Sequence, residues 1–324
     1  MNTMKKALSC GLALLVLAGC KDASAALPNA GETIVTIGSK TITKGILYDT
    51  MFASLGSNTA ITDAMNSISE KEVELTDEMK TEAQNQLDSY KLFYSEQFSS
   101  LLTQMNITEE EYLDKVLLPG MRSQKLTQTY VEQNYDAICA SYKPIQAIVL
   151  SFSSEADASA AISALKDGSA SAAEAASANN STSTGTEEII TIESTNYDTA
   201  ALTVIRSMSP DDGWTEIPSS DGATFYVLKV VSNDPQQYKE AAVQSLANLS
   251  SIADYSNDYF LRKYNFHVYD IGLYNALKRD SLSYALVQDS KPLELPAPAA
   301  EETAAPAEET AAPAEESAAP AEAQ

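Results

Sequence analysis

Hydrophobic and polar positions divide the body of the chain into two helical parts with a mixed part between them. The first part opens with a β-rich run at Thr33–Ile37 and a turn at 38–40, after which Thr43 is placed as a helix N-cap. Residues 75–105 repeat apolar side chains at steps of three and four, which predicts a helix capped by Thr76. Its apolar positions are Leu87, Tyr90, Tyr94, Phe98, Leu101 and Met105.

Further helix signals follow up to the end of the first part. Thr108 and Glu111 have the spacing of a capping box, which predicts another helix start. Pro119 and Gly120 predict an interruption of that helix, because proline has no N–H to donate. Helix then resumes with Leu126, Tyr130 and Ile138 as its apolar positions.

The mixed part alternates short strands with short helices. Strands are predicted at 145–150, 189–192, 214–218 and 225–231, and helices at 155–166, 170–178 and 197–208. A helical pattern returns after Pro235 and continues past Tyr259. Because neither helical flank has a sheet of its own to cover, we expect the two flanks to pack on each other around an inserted α+β domain. The predicted fold class is α+β.

The first twenty residues have the layout of a secretory leader. Lys5 and Lys6 precede an apolar run at 7–18 that is too short to span a membrane. The run ends in Leu-Ala-Gly-Cys20, which resembles the lipobox of bacterial lipoproteins and implies acylation at Cys20. A plain leader cut at 23–25, or a buried helix, is the alternative. Of the three cysteines only Cys139 would then stay free, which excludes an internal disulfide and a thiolate metal site.

The last part of the chain is a low-complexity tail. Three units at 301–307, 308–314 and 315–321 repeat the pattern E-E-[TS]-A-A-P-A. Each unit carries a proline and no large apolar residue, so an extended solvated segment is predicted rather than a coiled coil. The predicted division is a leader (1–19), a linker (20–32), a helical segment (33–142), an inserted domain (143–233), a second helical segment (234–288) and the tail (289–324).

The net charge of the chain excludes nucleic acid as a partner and affects how the protein would lie near a membrane. The 45 acidic residues against 21 Lys and Arg give a net charge of −24, and a nucleic-acid binder needs a basic face. Loss of Lys5 and Lys6 would make the chain more acidic, and the segment from Lys291 onward holds eight Glu against one Lys, which leaves a body near −19. Such a body repels an anionic membrane, so we expect the protein to hang from its lipid.

Two stretches carry a resemblance to a known family. Residues 34–43 read I-V-T-I-G-S-K-T-I-T, and residues 145–232 follow the element order of a parvulin domain. With the leader and the helical flanks, this order resembles the PrsA/SurA-type extracytoplasmic foldases. The resemblance implies a membrane-anchored folding factor that binds exported, unfolded polypeptides, on the outer face of a Gram-positive cell membrane or as a periplasmic lipoprotein.

The parvulin resemblance lacks the family's histidines. In the aligned positions this chain has Ala147 in the first strand and Tyr226 in the last, and 175–186 offers no Asp or Cys. A methyl group can neither donate nor accept a hydrogen bond, which weighs against isomerase chemistry. A proline pocket built from Tyr197, Ile205, Met208 and Tyr226 is the candidate site, with an ordinary core as the alternative.

The helical flanks supply the other candidate surface. Their aromatic side chains would form a cradle for unfolded segments, or else pack in the core with the hydroxyls reaching water. The cradle candidates are Tyr90, Tyr94, Phe98, Tyr130 and Tyr259. An acidic cradle would favour basic or apolar clients. No metal motif and no cofactor signature is found, so neither is predicted. An active isomerase with a rearranged site and a solute-binding or envelope-scaffold lipoprotein are the alternative functions.

Overall fold

A computed structural model of the chain describes residues 25–55, 57–280 and 285–297. The predicted leader, Cys20 and the repeat units at 301–321 lie outside the described residues. Within the described ranges, no helix is long and apolar enough to cross a membrane.

The first helical part begins with a small antiparallel hairpin. Its strands β1 and β2 are Thr33–Ile37 and Lys40–Thr43. The helices that follow are α1 (Lys44–Leu55), α2 (Asn58–Glu72), α3 (Asp77–Met105), α4 (Glu109–Tyr112), α5 (Leu118–Gln133) and α6 (Tyr135–Tyr142). The predicted caps are present, since the Thr43 and Thr76 hydroxyls accept the backbone N–H groups of Ile46 and Met79. Helix α2 was not predicted from the sequence.

Helix α3 is bent at Ser95, whose backbone has a φ of 37°. The expectation of one continuous apolar face is therefore wrong. Leu87 and Phe98 are buried, whereas Tyr94, Leu101 and Met105 are exposed, so the buried positions do not follow the predicted repeat along the whole helix.

Pro119 does not interrupt the helix as predicted. A π-helical turn, Leu113–Leu117, joins α4 to α5, and the N–H of Leu118 donates to the carbonyl of Leu113, five residues earlier. This turn shifts the hydrogen-bond register just before Pro119. The proline then occupies the first turn of α5, a position that proline tolerates because its fixed φ fits a helix.

The capping box at Thr108 gives a stability test. The Thr108 hydroxyl accepts the N–H of Glu111, and the Glu111 carboxylate accepts the N–H of Thr108. We expect Thr108→Ala to lower the free energy of unfolding by about 1 kcal/mol in urea titrations. Thr103→Ala is the matched control: Thr103 is exposed within α3 and bonds back to the Ser99 carbonyl, so its loss should cost nothing. Equal effects would contradict the cap.

The inserted part is a sheet between two helical layers. Among the described residues the strands β3 (Ile145–Phe152), β4 (Glu187–Ile190), β5 (Thr215–Pro218) and β6 (Phe225–Ser232) form an antiparallel sheet of order β4-β3-β6-β5. Its helices are α7 (Glu155–Lys166), α8 (Ala172–Ala178) and α9 (Thr199–Ser207). Gly185 has a φ of 77°, and a Cβ there would lie 2.6 Å from the backbone of Ala172, so this position after α8 requires glycine.

Strand alternation assigns each face of the sheet to one layer. Ala147 and Val149 of β3 point toward α9, where they pack with Ile205. Leu150 and Phe152 point the other way, onto α7 and α8. The small alanines of α7 and α8 let these helices approach the sheet closely, and Ala158, Ala161, Ala175 and Ala176 are all buried there.

The C-terminal flank packs on the N-terminal flank, as predicted. Its helices are α10 (Lys239–Ala247), α11 (Ser250–Lys263) and α12 (Ile271–Arg279), and the predicted long helix is divided at Asn248 and Leu249. One core joins both flanks, with side chains from α2, α5, α6, α10, α11 and α12. A side-chain hydrogen bond also joins the two flanks, since the Tyr142 hydroxyl of α6 donates to Ser251 Oγ of α11 at 3.0 Å. The α+β fold class is confirmed.

Candidate functional site

The two positions that correspond to the parvulin histidines lie on one face of the sheet. Ala147 pairs with Val230, and Tyr226 pairs with Ser151, so the two are separated by four residues along β3. Ala147 is fully buried and Tyr226 is nearly so. The structure therefore places both residues beneath α9 rather than side by side on an open surface.

Tyr226 is held by a hydrogen bond and a ring contact. Its hydroxyl accepts the backbone N–H of Asp198 at 3.4 Å, and its ring meets that of Tyr197 edge to face, with centroids 6.0 Å apart. Asp198 is itself the N-cap of α9 and accepts the N–H of Ala200 at 2.8 Å. The start of α9 thus fixes the orientation of the Tyr226 ring.

Glu188 is the acidic member of this site, and the sequence reading missed it. It lies directly opposite Ala147 on β4, so both occupy the same face. Tyr197 donates its hydroxyl to Glu188 Oε1, and Asn196 donates to Oε2 at 3.3 Å. Glu188 falls two residues before the buried Ile190, and that spacing of two in a strand was the signal for an inward carboxyl.

Burial sets the protonation of the Glu188–Tyr197 pair. Burial raises the pKa of the Glu188 carboxyl, and the hydroxyl and amide bonds from Tyr197 and Asn196 offset only part of this rise. Burial also raises the pKa of the Tyr197 phenol, with the Glu188 carboxylate adding to the effect. Because the pKa of the phenol is raised, Tyr197 stays protonated and remains the donor to Glu188, so Glu188 is the member of the pair that titrates.

Hydroxyl groups occupy the region where the family has an Asp or Cys. Ser181 Oγ accepts the N–H of Ser151 at 3.3 Å, and Ser183 Oγ donates to Ser151 Oγ at 3.2 Å. Hydroxyls can donate and accept hydrogen bonds but do not ionise near neutral pH. The hydroxyls of Ser151, Ser181 and Ser183 can therefore make polar contacts but cannot act as an acid or a base.

The proline-pocket residues lie between the sheet and α9. Ile205 is fully buried and Met208 is nearly so, while Tyr197 is half-buried. These side chains and Tyr226 pack into one cluster with Ala147. Ile205 and Met208 therefore pack against the sheet and are closed to solvent.

Glu188 makes the stability of the inserted part depend on pH. Because its folded-state pKa lies above the ordinary value of 4.5, its contribution is fully present below that value and is lost as the pH rises through the folded-state pKa. In urea titrations from about pH 4 to about pH 8, we expect Glu188→Gln to remove this fall in stability. Glu174→Gln is the control: hydrogen bonds from Ser171 lower the pKa of Glu174, so its contribution changes only below pH 4.5 and its loss should leave the fall in stability up to about pH 8 unchanged. An unchanged pH profile in Glu188→Gln would contradict the assignment.

The cradle candidates fall into two groups. Tyr90 lies 6.0 Å from Tyr94 and 6.1 Å from Phe98, between ring centroids. Tyr130 and Tyr259 form the second group, with centroids 5.5 Å apart. Phe98 and Tyr130 are buried, whereas Tyr94 and Tyr259 are exposed. Phe98 and Tyr90 belong to a small core between α3 and α4, and Tyr130 belongs to the core that joins the flanks, whereas Tyr94 and Tyr259 belong to neither.

An exposed apolar surface lies just before the bend of α3. Leu92, Phe93 and Tyr94 are 75%, 76% and 54% exposed, and we call them the α3 surface. Leu92 and Phe93 were not among the predicted cradle residues. Their signal was three consecutive large apolar residues, which cannot all lie on the buried face of one helix.

The arm around the α3 surface is strongly acidic. Residues 77–117 hold nine Asp and Glu against three Lys, a net charge of −6. Each lysine has an acidic partner within the arm, in the pairs Lys80–Asp77, Lys91–Glu109 and Lys115–Glu111. The other six carboxylates have no ion-pair partner in the described part of the chain, so the surface is apolar with an acidic rim.

Comparison with known proteins gives structural likenesses at low identity. No family model and no curated protein matches the chain. Similar solved structures include foldase protein PrsA from Streptococcus pneumoniae, with 18% identity, a TM-score of 0.43, and coverage of 76% of this chain and 99% of the other. PrsA from Bacillus subtilis follows with 15% identity, a TM-score of 0.38, and coverage of 77% and 99%. These structures carry the name of the family that the sequence resembles.

Proposed function

We propose that this chain is an extracytoplasmic folding factor that binds unfolded, exported polypeptides. The observation that carries the proposal is the α3 surface, where three neighbouring large apolar side chains face solvent. They are not needed to close the local core, because Leu87, Phe98 and Tyr112 already fill it. Contiguous exposed apolar side chains with a polar rim are typical of protein-binding surfaces.

The proposed clients are apolar segments flanked by basic residues. The acidic arm around the α3 surface would attract Lys and Arg beside the apolar contact, which favours encounter and selects against acidic segments. Lipidation at Cys20 would hold this binding surface at the outer face of the cell membrane, where exported chains emerge unfolded. The same leader also supports a periplasmic location, as the alternative.

A holdase assay tests the proposal. The chain from Lys21 to Gln324, purified without its leader, is mixed with an unfolded client that aggregates on dilution. We expect light scattering to fall as the chain approaches molar equivalence with the client. Unchanged aggregation at several-fold molar excess would overturn the proposal.

A second candidate function is peptidyl-prolyl isomerisation at a rearranged site. The observation that favours it is the Glu188–Tyr197 pair, which lies on the same sheet face as Ala147 and Tyr226. Because Ala147 is fully buried, a peptide could reach this face only if α9 moved away. A pocket is required to lower a barrier of about 18–20 kcal/mol.

A protease-coupled assay with a proline peptide separates the two functions. We expect the uncatalysed rate, and no change in Tyr226→Phe, because Ala147 and Ile205 are fully buried and Met208 is nearly so. A rate above background that falls in Tyr226→Phe would establish the isomerase instead. Tyr226→Phe removes only the hydroxyl that accepts the Asp198 N–H, so the ring packing with Tyr197 is kept.

A further inference from the structure

The hairpin and the first helix expose an unusual amount of apolar surface. Side chains of β1 and α1 that are 43–66% exposed form what we call the N-terminal corner. They are Ile34, Val35, Ile37, Ile46, Leu47 and Met51. On its other side α1 is occupied by the protein, since Tyr48 lies against α12 near Gly272 and packs its ring on Phe52 at 4.6 Å. The apolar face of α1 is therefore left without a partner in the described chain.

The chain enters the described structure at this same corner. Ala25 donates its N–H to the carbonyl of Tyr269 at 2.8 Å, and its carbonyl accepts the N–H of Ile271 at 2.9 Å. A few residues later, Ala30 accepts the N–H of Gly45 at the start of α1. Backbone bonds thus tie residues 25–32 to the start of α12 at one end and to the start of α1 at the other, and α12 packs against α1.

The length of chain before Ala25 limits how far a lipid on Cys20 could lie from the corner. Four residues lie between Cys20 and Ala25, so five residue steps join them. Even a fully extended chain spans at most about 3.6 Å per step, so the tether reaches about 18 Å. A bilayer that holds Cys20 would lie within that distance of Ala25, which is bonded to the start of α12 beside α1.

The charge of the corner is compatible with a lipid surface, although the charge of the whole chain is not. Residues 32–51 contain Lys40 and Lys44 against Glu32 and Asp49, which is a net charge of zero. The rest of the body is strongly acidic. An anionic bilayer would therefore repel the body and leave this neutral apolar corner as the part that can touch it.

We propose that the N-terminal corner lies on the lipid bilayer, with its apolar side chains in the interfacial region beside the Cys20 anchor. The proposal rests on the lipidation included in the proposed function. Apolar side chains that enter the headgroup region add to the hold of the acyl chains and fix the orientation of the protein. The protein would then contact the membrane through this corner. The overall charge had led us to expect attachment through the lipid alone.

A site-specific fluorescent label tests this orientation in the full-length, lipidated protein. In a Cys139→Ser background, Ile37→Cys carries an environment-sensitive dye, and the protein is reconstituted in vesicles of phosphatidylcholine and phosphatidylglycerol that contain spin-labelled lipid. The matched control is Ala160→Cys, an exposed position of α7. We expect at least a several-fold greater quenching at position 37 than at position 160. Leu47→Glu should reduce the quenching at 37, whereas Ile192→Glu, at an exposed position of the inserted part, should not.

The outcomes separate this inference from the proposed function. Equal quenching at 37 and 160, with the lipid confirmed by mass spectrometry, would overturn the membrane contact and leave the anchor intact. A protein mass without lipid would remove the anchor, and the contact with it, while the holdase assay would still stand. A blue shift at 37 that depends on protein concentration in the absence of vesicles would assign the corner to a second copy of the chain instead.

Discussion

Replacing Arg262 by alanine is expected to lower the free energy of unfolding by about 3–5 kcal/mol, because it leaves a buried carboxylate without its partner. Asp258 is only 3% exposed, and both of its oxygens accept the Arg262 Nε at 3.0 Å. A charge buried to this degree has lost its hydration, so removal of the guanidinium is far more costly than removal of a surface ion pair. The shift of the midpoint in urea titrations measures the effect.

Arg262 also holds the last described segment of the chain. Its guanidinium donates to the carbonyls of Val287, Ser290 and Lys291, and to Ser290 Oγ. Asp258 in turn accepts the N–H of Leu293 at 3.0 Å. Ala285 and Leu286 lie buried on the core that joins the flanks. We therefore expect Arg262→Ala to speed proteolysis between 285 and 297 before the rest of the chain unfolds.

Two further variants make this prediction specific. Arg262→Lys keeps the charge but loses the fork of donors, and should fall between the parent and Arg262→Ala. Arg279→Ala is the matched control, since Arg279 pairs with Asp280 on the surface and its side chain is 61% exposed, and its loss should cost no more than about 1 kcal/mol. Equal costs for Arg262→Ala and Arg279→Ala would show that the buried pair has no special role.

Elements with local signals were predicted well from the sequence. Helix starts at Thr76, Thr108 and Ser154 are set by a hydroxyl that accepts a nearby N–H, a contact within three residues. Strand β3 and strand β6 are long, apolar and bounded by turns, which predicts a buried sheet. The α+β class and the packing of the flanks followed from these elements.

Features that depend on distant contacts could not be predicted in the same way. The bend at Ser95 contains no glycine or proline that would have predicted it. The carboxyl of Glu188 gains its role from Tyr197 and from the register with Ala147. The segment after residue 285 has no helical or strand pattern, and its contacts with Arg262 and with the core show that it belongs to the folded body.

The double variant Leu92→Ser, Phe93→Ser should weaken binding of an unfolded client while leaving the fold intact. Both side chains are about three-quarters exposed, so folding gains little from them. Large apolar side chains at the centre of a binding surface contribute about 1–2 kcal/mol each, so we expect at least a roughly tenfold loss of affinity. Fluorescence anisotropy of a labelled unfolded client gives the affinity, and urea titration gives the stability.

The control for this variant removes equal apolar character elsewhere. Ile192→Ser with Tyr269→Ser changes two exposed side chains outside α3 and should leave client affinity unchanged. The acidic arm adds a second test with the parent protein. A peptide whose apolar core is flanked by Lys should bind more tightly than the same core flanked by Glu. Added salt should reduce this difference in affinity between the two peptides. An equal loss of client affinity in both double variants would show that clients bind to exposed apolar residues in general and not to the α3 surface. If the α3 variant alone loses affinity but the charge of the peptide has no effect, the α3 surface binds through its apolar residues alone and the acidic rim serves solubility.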